Sequence, residues 1–223
     1  MERADEYRLE IVTGRYQAAS AAQREMLRVL FGESAAQDYE IYFHWYNILH
    51  ELGHAVMMFH AAARPHPAQE EQLVNDFAVA YWRHYAQPQR LERLGEIVRR
   101  ALRRLPAPAA DHLEYAKARW DTEEMRSFEG YGWFQFSSVR QALGGEKSFA
   151  QALRDMGVHS VCPQARKALV YDLDDETACR VLADACKTLK SWGVRLPDEA
   201  RIVFCDDINC HMCRAIRADG LVW

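Results

Sequence analysis

The sequence predicts a mainly α fold: several helices with at most a small β-sheet. Three observations carry this expectation. Ala, Leu, Arg, Glu and Gln dominate nearly the whole chain, and these are strong helix formers. Strand-like alternation of apolar and polar residues is scarce. Proline pairs at Pro65/Pro67 and Pro106/Pro108 cut the helical stretches into segments of ordinary globular length.

A first helix is expected over about residues 16–31, ending at Gly32. A second runs over about 38–63. Arg64-Pro65-His66-Pro67 stops it, because a residue before proline is pushed out of the α region. A third follows Pro67 to about Ala86, and a fourth covers about 89–105, where Pro106-Ala107-Pro108 ends it. Another starts near Asp111. Residues 122–143 read as helical with a break expected at Gly130 or Gly132. A short helix then covers about 146–156. Residues 157–172 read as a connection. Asp174-Asp175-Glu176 put negative charge at the start of a helix to about Trp192, which suits the helix dipole. Arg201–Cys205 is the best strand candidate and Tyr7–Val12 a second, while residues 1–38 otherwise read as mostly helical.

The chain has 223 residues, 49% of them hydrophobic and 27% charged. That is enough for a core of one compact domain or a domain with a small appendage. The net charge of −4 gives no global pull toward nucleic acid or an anionic membrane, so neither is expected as a partner. The first residues carry no apolar run of the signal-peptide kind, and no stretch approaches the roughly 20 apolar residues of a spanning helix. A cytoplasmic location is expected. All six cysteines lie between Cys162 and Cys213. In a reducing compartment they are thiols or metal ligands. Their clustering suggests a helical metal-binding domain over 1–157 with a cysteine-containing subdomain, 158–223, packed on it.

The segment that carries chemistry is His50-Glu51-Leu52-Gly53-His54. Residues four apart on an α-helix share a face, so the two imidazoles can meet one metal ion at about 2.0–2.1 Å. Glu51 is rotated by about 100°. It can reach a water polarised by the metal without being a ligand, and take its proton as general base. Apolar residues flank the motif on both sides, so the helix is expected to be buried. Buried histidines and a glutamate need partners, and a metal supplies one. Gly53 and Ala55 are expected to leave room around the site.

The third ligand has two sources. His60 falls where a third histidine would stand if the helix turned back at position 57. Met57-Met58-Phe59 continue the helix instead, and carry His60 away. The other source is the helix after Pro67. Glu71 is the favoured ligand there, with Asn75 one turn on, hydrogen-bonding a ligand from behind. Glu70 is a lesser candidate, and both it and Asp76 are expected on more exposed faces.

His50-Glu51-Leu52-Gly53-His54 followed by Glu71-x-x-x-Asn75-x-Phe77-Ala78 resembles the zinc metallopeptidases of the gluzincin type, most closely the ImmA/IrrE group. The resemblance covers about residues 47–80, with Val74 where that group usually has alanine. It implies a zincin-like helical core around the motif helix and a Zn2+ ion on His50, His54 and Glu71. It further implies hydrolysis of a peptide bond in a protein or peptide substrate, and a sheet ahead of the motif helix whose edge strand aligns that substrate. A reading from another class is a non-catalytic zinc-binding module with a regulatory or protein-interaction role.

A hydrolase of this kind also needs a donor for the oxyanion. Tyr131 in Phe128-Glu129-Gly130-Tyr131-Gly132 is a candidate, since its flanking glycines permit close approach to a ligand. His84 and His112 are others. The competing reading is an aromatic core segment with a kink. His44 is expected on a different helix face, as a packed residue. Cys205, Cys210 and Cys213 with either His211 or Cys162 could form a second metal site, Cys210 and Cys213 a redox pair, or all could stay inert thiols. Cys179 and Cys186 read as one buried stripe.

Overall fold

In the computed structural model, residues 3–86, 88–108, 110–208, 210–217 and 219–220 are described. Strand β1 (Tyr7–Gly14) comes first, then a short 3-10 turn (Tyr16–Ala18) and helix α1 (Ala21–Phe31). Ser20 and Gln23 cap α1 reciprocally, each side chain accepting the other's backbone N–H. Next come α2 (Ala35–Tyr39), a π-helical segment (Glu40–Tyr46) and α3 (Asn47–His60), which follow one another without a break. The expected helix over 38–63 thus starts earlier and changes its winding just ahead of His50. It stops at Ala61, before the Arg64-Pro65 signal. Pro67 occupies the first turn of α4 (Pro67–Tyr85), where its missing N–H costs nothing.

The remaining elements are α5 (Pro88–Leu102), α6 (His112–Arg119), α7 (Glu123–Arg126), α8 (Phe128–Gly144), α9 (Phe149–Asp155), α10 (Thr177–Ser191), β2 (Glu199–Cys205) and β3 (Met212–Arg217). The fold is mainly α with a small three-stranded sheet. Among the described residues no helix is long and apolar enough to cross a membrane.

The sheet has the order β2-β1-β3. β1 pairs parallel with β2, Ile11 opposite Ile202, and antiparallel with β3, Ile11 opposite Cys213. Most of β1 is buried, as a central strand should be. The strand expected at Tyr7–Val12 is present and runs on to Gly14, and it is the strand that holds the sheet together; the rest of residues 3–38 is mostly helical, as expected. β3 was not anticipated. Its sequence, Met-Cys-Arg-Ala-Ile-Arg, sits inside the cysteine cluster and has no clean alternation. The sheet packs on α3 and α10. Residues on both sides of position 157 therefore share it.

The core centres on α3, α4 and the π segment. Trp45 stacks on Trp82 at 4.2 Å, and Tyr39, Tyr46, Phe59, Phe77 and Tyr81 are fully buried around them. Asp38 is completely buried and held by Arg93 and Arg100 of α5 and by Ser34. The break expected at Gly130 or Gly132 lies at Ser127 instead, between α7 and α8. Gly130 serves a different end: a Cβ there would lie 2.1 Å from the Glu124 carbonyl oxygen. The glycine lets α7 fold back onto the first turn of α8.

Gly53 plays the same part between α3 and α4. A Cβ on it would lie 2.9 Å from Val74 Cβ and 3.2 Å from a Phe77 ring carbon. It leaves no free room around the site, contrary to the expectation from sequence; the space is filled by α4. Gly53→Ala should cost about 1–3 kcal/mol of stability in urea unfolding, by overpacking. Gly144→Ala, where an added Cβ meets nothing within 4 Å, should change stability by less than about 0.5 kcal/mol. Equal effects from the two would show that the helix contact is not tight.

Candidate metal centre

α3 and α4 are antiparallel neighbours across the turn at 61–66. His50 and His54 on α3 face Glu71 on α4. His50 Nε2 lies 3.2 Å from Glu71 Oε2, and His54 Nε2 lies 3.7 Å from Glu71 Oε1. The imidazole rings are 5.1 Å apart and nearly perpendicular. Candidate donor atoms of His50, His54 and Glu71 all fall within 4.8 Å of one another. His50 and Glu71 are buried, and the His54 side chain is 16% exposed. The two nitrogens and one carboxylate oxygen could hold a metal ion.

The other ring nitrogens are committed. His50 Nδ1 donates to Asn75 Oδ1 at 3.0 Å. That oxygen also accepts from the Tyr46 hydroxyl at 2.7 Å, and Asn75 Nδ2 donates to the Glu71 backbone carbonyl and to Gln135. His54 Nδ1 donates to Glu70 Oε1 at 2.7 Å. Both Nδ1 atoms thus face oxygen acceptors, which leaves both Nε2 lone pairs for the centre. Asn75 stands where the sequence reading put it. Glu70 does not: it is 5% exposed, and Arg64 from the interhelical turn grips both of its carboxylate oxygens. It faces inward because the His54 ring reaches across to it, which spacing along α4 alone does not reveal. Asp76 is half-buried rather than exposed, bound to Lys147 and Gln72.

Three further partners went unrecognised in the sequence. Gln135 Nε2 donates to Glu71 Oε2 and to the Tyr131 hydroxyl, at 2.7 Å in the second case. Asn47, one turn before Glu51, donates from Nδ2 to Glu51 Oε1 at 3.1 Å. Tyr46 fixes Asn75 from the opposite side. The Asn47–Glu51 spacing of four was legible; Gln135 and Tyr46 carry no local signal.

Glu51 and His50 line a pocket of about 670 Å³, with Tyr131 on its rim. Neither His84 nor His112 reaches it. His84 packs among Tyr85, Phe149 and Trp192, and His112 bonds Gln72. His60 is turned away, accepting from the Arg195 backbone N–H at 2.8 Å. His44 is bound by Glu40 and the Gly14 carbonyl, on another face from the centre.

The cysteine cluster does not gather as a metal site among the described residues. Cys205 bonds the Asp207 carbonyl, while His211 uses Nδ1 with Thr13 and Nε2 with the Ile208 carbonyl. Cys213 lies instead on the α3 side of the sheet near Glu51 and Ala55, where burial pushes its thiol pKa up. All six cysteines are free thiols.

Comparison with protein-family models, with curated proteins and with solved structures yields no match for this chain.

Glu51, Glu70 and Glu71 bring three carboxylates together against one guanidinium, Arg64. With neutral imidazoles the cluster keeps two uncompensated negative charges in a buried place. Burial opposes a charge on His54, but the Glu71, Glu70 and Glu51 carboxylates outweigh it and raise its pKa to about 9. Burial likewise disfavours the Glu71 carboxylate, yet His54, His50 and Gln135 draw its pKa down to about 2. A proton on His54 offsets one of these two charges.

This fixes the pH behaviour of the metal-free protein. The His54 contribution to stability is fully present below its ordinary pKa of 6.5 and is lost as pH rises through about 9. The Glu71 contribution is present above 4.5 and lost as pH falls toward 2. Urea midpoints of metal-free protein should peak between about pH 4.5 and 6.5. They should then fall toward pH 9 by an amount on the order of 2–3 kcal/mol. His54→Gln should flatten that fall; a flat wild-type profile from pH 6 to 9 would refute the assignment.

Proposed function

We propose that the protein is a zinc-dependent peptidase, with His50, His54 and Glu71 as the zinc ligands and Glu51 as general base. The observation that carries the proposal is the commitment of both Nδ1 atoms to oxygen acceptors, which aims both Nε2 atoms and the Glu71 carboxylate at one place. Two histidines and a glutamate form a three-ligand set suited to zinc with a fourth position open. The negative charge of the cluster favours a divalent cation over a neutral occupant. A zinc ion held there would lower the pKa of a water and polarise a carbonyl group.

The chain's own residues supply the rest. Glu51 lies in the pocket wall next to His50, and Asn47 holds one of its oxygens. The second oxygen is available to take a proton from the attacking water and pass it to the leaving amine. Tyr131 accepts a hydrogen bond from Gln135, so its own O–H is free to donate into the pocket. Partial burial at the pocket rim, then the Glu71 and Glu51 carboxylates, raise its pKa well above 10, which keeps it a proton donor. It is the group of choice to stabilise an oxyanion. β3 supports the peptide reading: it is an edge of the sheet, antiparallel to β1, and packs on α3. An extended peptide can add to such an edge through its backbone.

Glu51→Gln should retain zinc at one ion per chain and lose about 10²–10⁴-fold in peptide hydrolysis, measured on a casein or fluorogenic peptide-library assay with metal content read by atomic absorption. Unchanged hydrolysis would end the general-base assignment. Tyr131→Phe should lower kcat by about 10²–10³-fold with little change in KM. A pure KM effect would place Tyr131 in substrate binding instead.

A further inference from the structure

The pocket beside the centre is mostly apolar. Leu27 and Leu30 of α1, Tyr42 and Phe43 of the π segment and Phe136 of α8 form its walls. His211 stacks flat on Phe43, 4.2 Å between centroids and 11° between planes, and both its ring nitrogens are bound by Thr13 and Ile208. It therefore adds a neutral ring face to the wall. Apart from His50 and Glu51 beside the centre, the charged side chains on the lining are Asp121 and Arg126, of opposite sign and both exposed.

Building on the proposed peptidase reading, we infer that this pocket receives an apolar peptide segment, with two or more bulky aliphatic or aromatic residues adjoining the bond that is cut. Three observations lead there. The pocket is continuous with the reacting centre, because His50 and Glu51 belong to its lining. Its volume of about 670 Å³ falls within the range, about 300–1,000 Å³, that encloses a drug-sized ligand, so one side chain would leave much of it unfilled. A charged side chain among these walls would be desolvated without a partner. Phe128 and Tyr131 extend the apolar surface outward: they are 37% and 38% exposed on the first turn of α8, at the rim. Asn47, Ser127 and Gln135 interrupt the wall with polar groups that peptide amides can use.

The test is calorimetric binding to the full chain, with three hydroxamates on zinc-loaded protein (Phe-Leu, Gly-Gly and decanoyl) and the two dipeptide amides on metal-free protein. The Phe-Leu hydroxamate should bind at least tenfold tighter than the Gly-Gly compound. The amides should keep that preference without metal. Met26→Asp and Phe128→Asp, both at partly exposed lining positions, should each reduce the preference at least fivefold. Equal binding of the Phe-Leu and Gly-Gly compounds overturns the inference and leaves hydrolysis standing. Tighter binding of the decanoyl compound overturns it in favour of an acyl-chain ligand. A tenfold preference in a protein that cuts no peptide supports the pocket's ligand class and overturns the peptidase reading alone.

Discussion

The close approach of α3 and α4 at Gly53 and Val74 sets the distance between the two helices that carry all the candidate ligands. With a side chain at position 53, α4 would stand off by the width of a methyl group, and Glu71 would withdraw from both histidines. The packing of apolar residues therefore determines the polar geometry. Val74 and Phe77 fill the α4 side of this contact, about one and nearly two turns beyond Glu71. The Arg64–His66 turn closes the pair, and its arginine holds Glu70, so the connection between the helices is also part of the support for His54.

A buried polar cluster of this kind is expensive. Removing charged groups from water costs several kcal/mol per ion, and mutual attraction recovers it only with good geometry and full hydrogen bonding. Here nearly every atom around the centre has a partner: Asn75 alone joins Tyr46, His50, Gln135 and the Glu71 backbone. Such satisfaction is stronger than packing a core requires, since apolar residues would fill the same volume without the desolvation penalty. With both imidazoles neutral, the three carboxylates outnumber the one guanidinium by two, so the cluster could accept a cation. Asp38 offers a contrast. It is as deeply buried, but Arg93 and Arg100 neutralise it fully and pin α5 to the start of the α2–α3 run, which leaves no demand for an added ion.

Much of this was legible in the sequence wherever the signal was local. Pro67, Asp111 and the acidic turn before α10 marked helix starts, and the four-residue spacing of His50 and His54 placed both rings on one face. The next helix offered Glu71 and Asn75 at the same spacing. What escaped depends on contacts between distant elements. Glu70 is adjacent to Glu71 and on period alone belongs on another face; only the reach of the His54 ring and of Arg64 brings it inward. The pocket draws its walls from α1, the π segment and α8, which no periodicity connects. β3 was hidden because two arginines and a cysteine replace the apolar alternation that would reveal a strand. Gly130 was correctly noticed, but its closeness is to a backbone carbonyl of α7, a contact invisible without the fold.

The strand order has a consequence for how the chain is made. Arg8 pairs with Glu199 on one side and with Ile216 on the other. During synthesis at about 5–20 residues per second, β1 waits roughly 10–40 s for its first neighbour, with both edges open to the wrong partner. The α3–α4 hairpin needs only about forty contiguous residues and meets no such delay. The nascent protein thus has the two helices of the candidate centre early and its sheet last. β1, rather than the motif helix, is the element whose partners are made last.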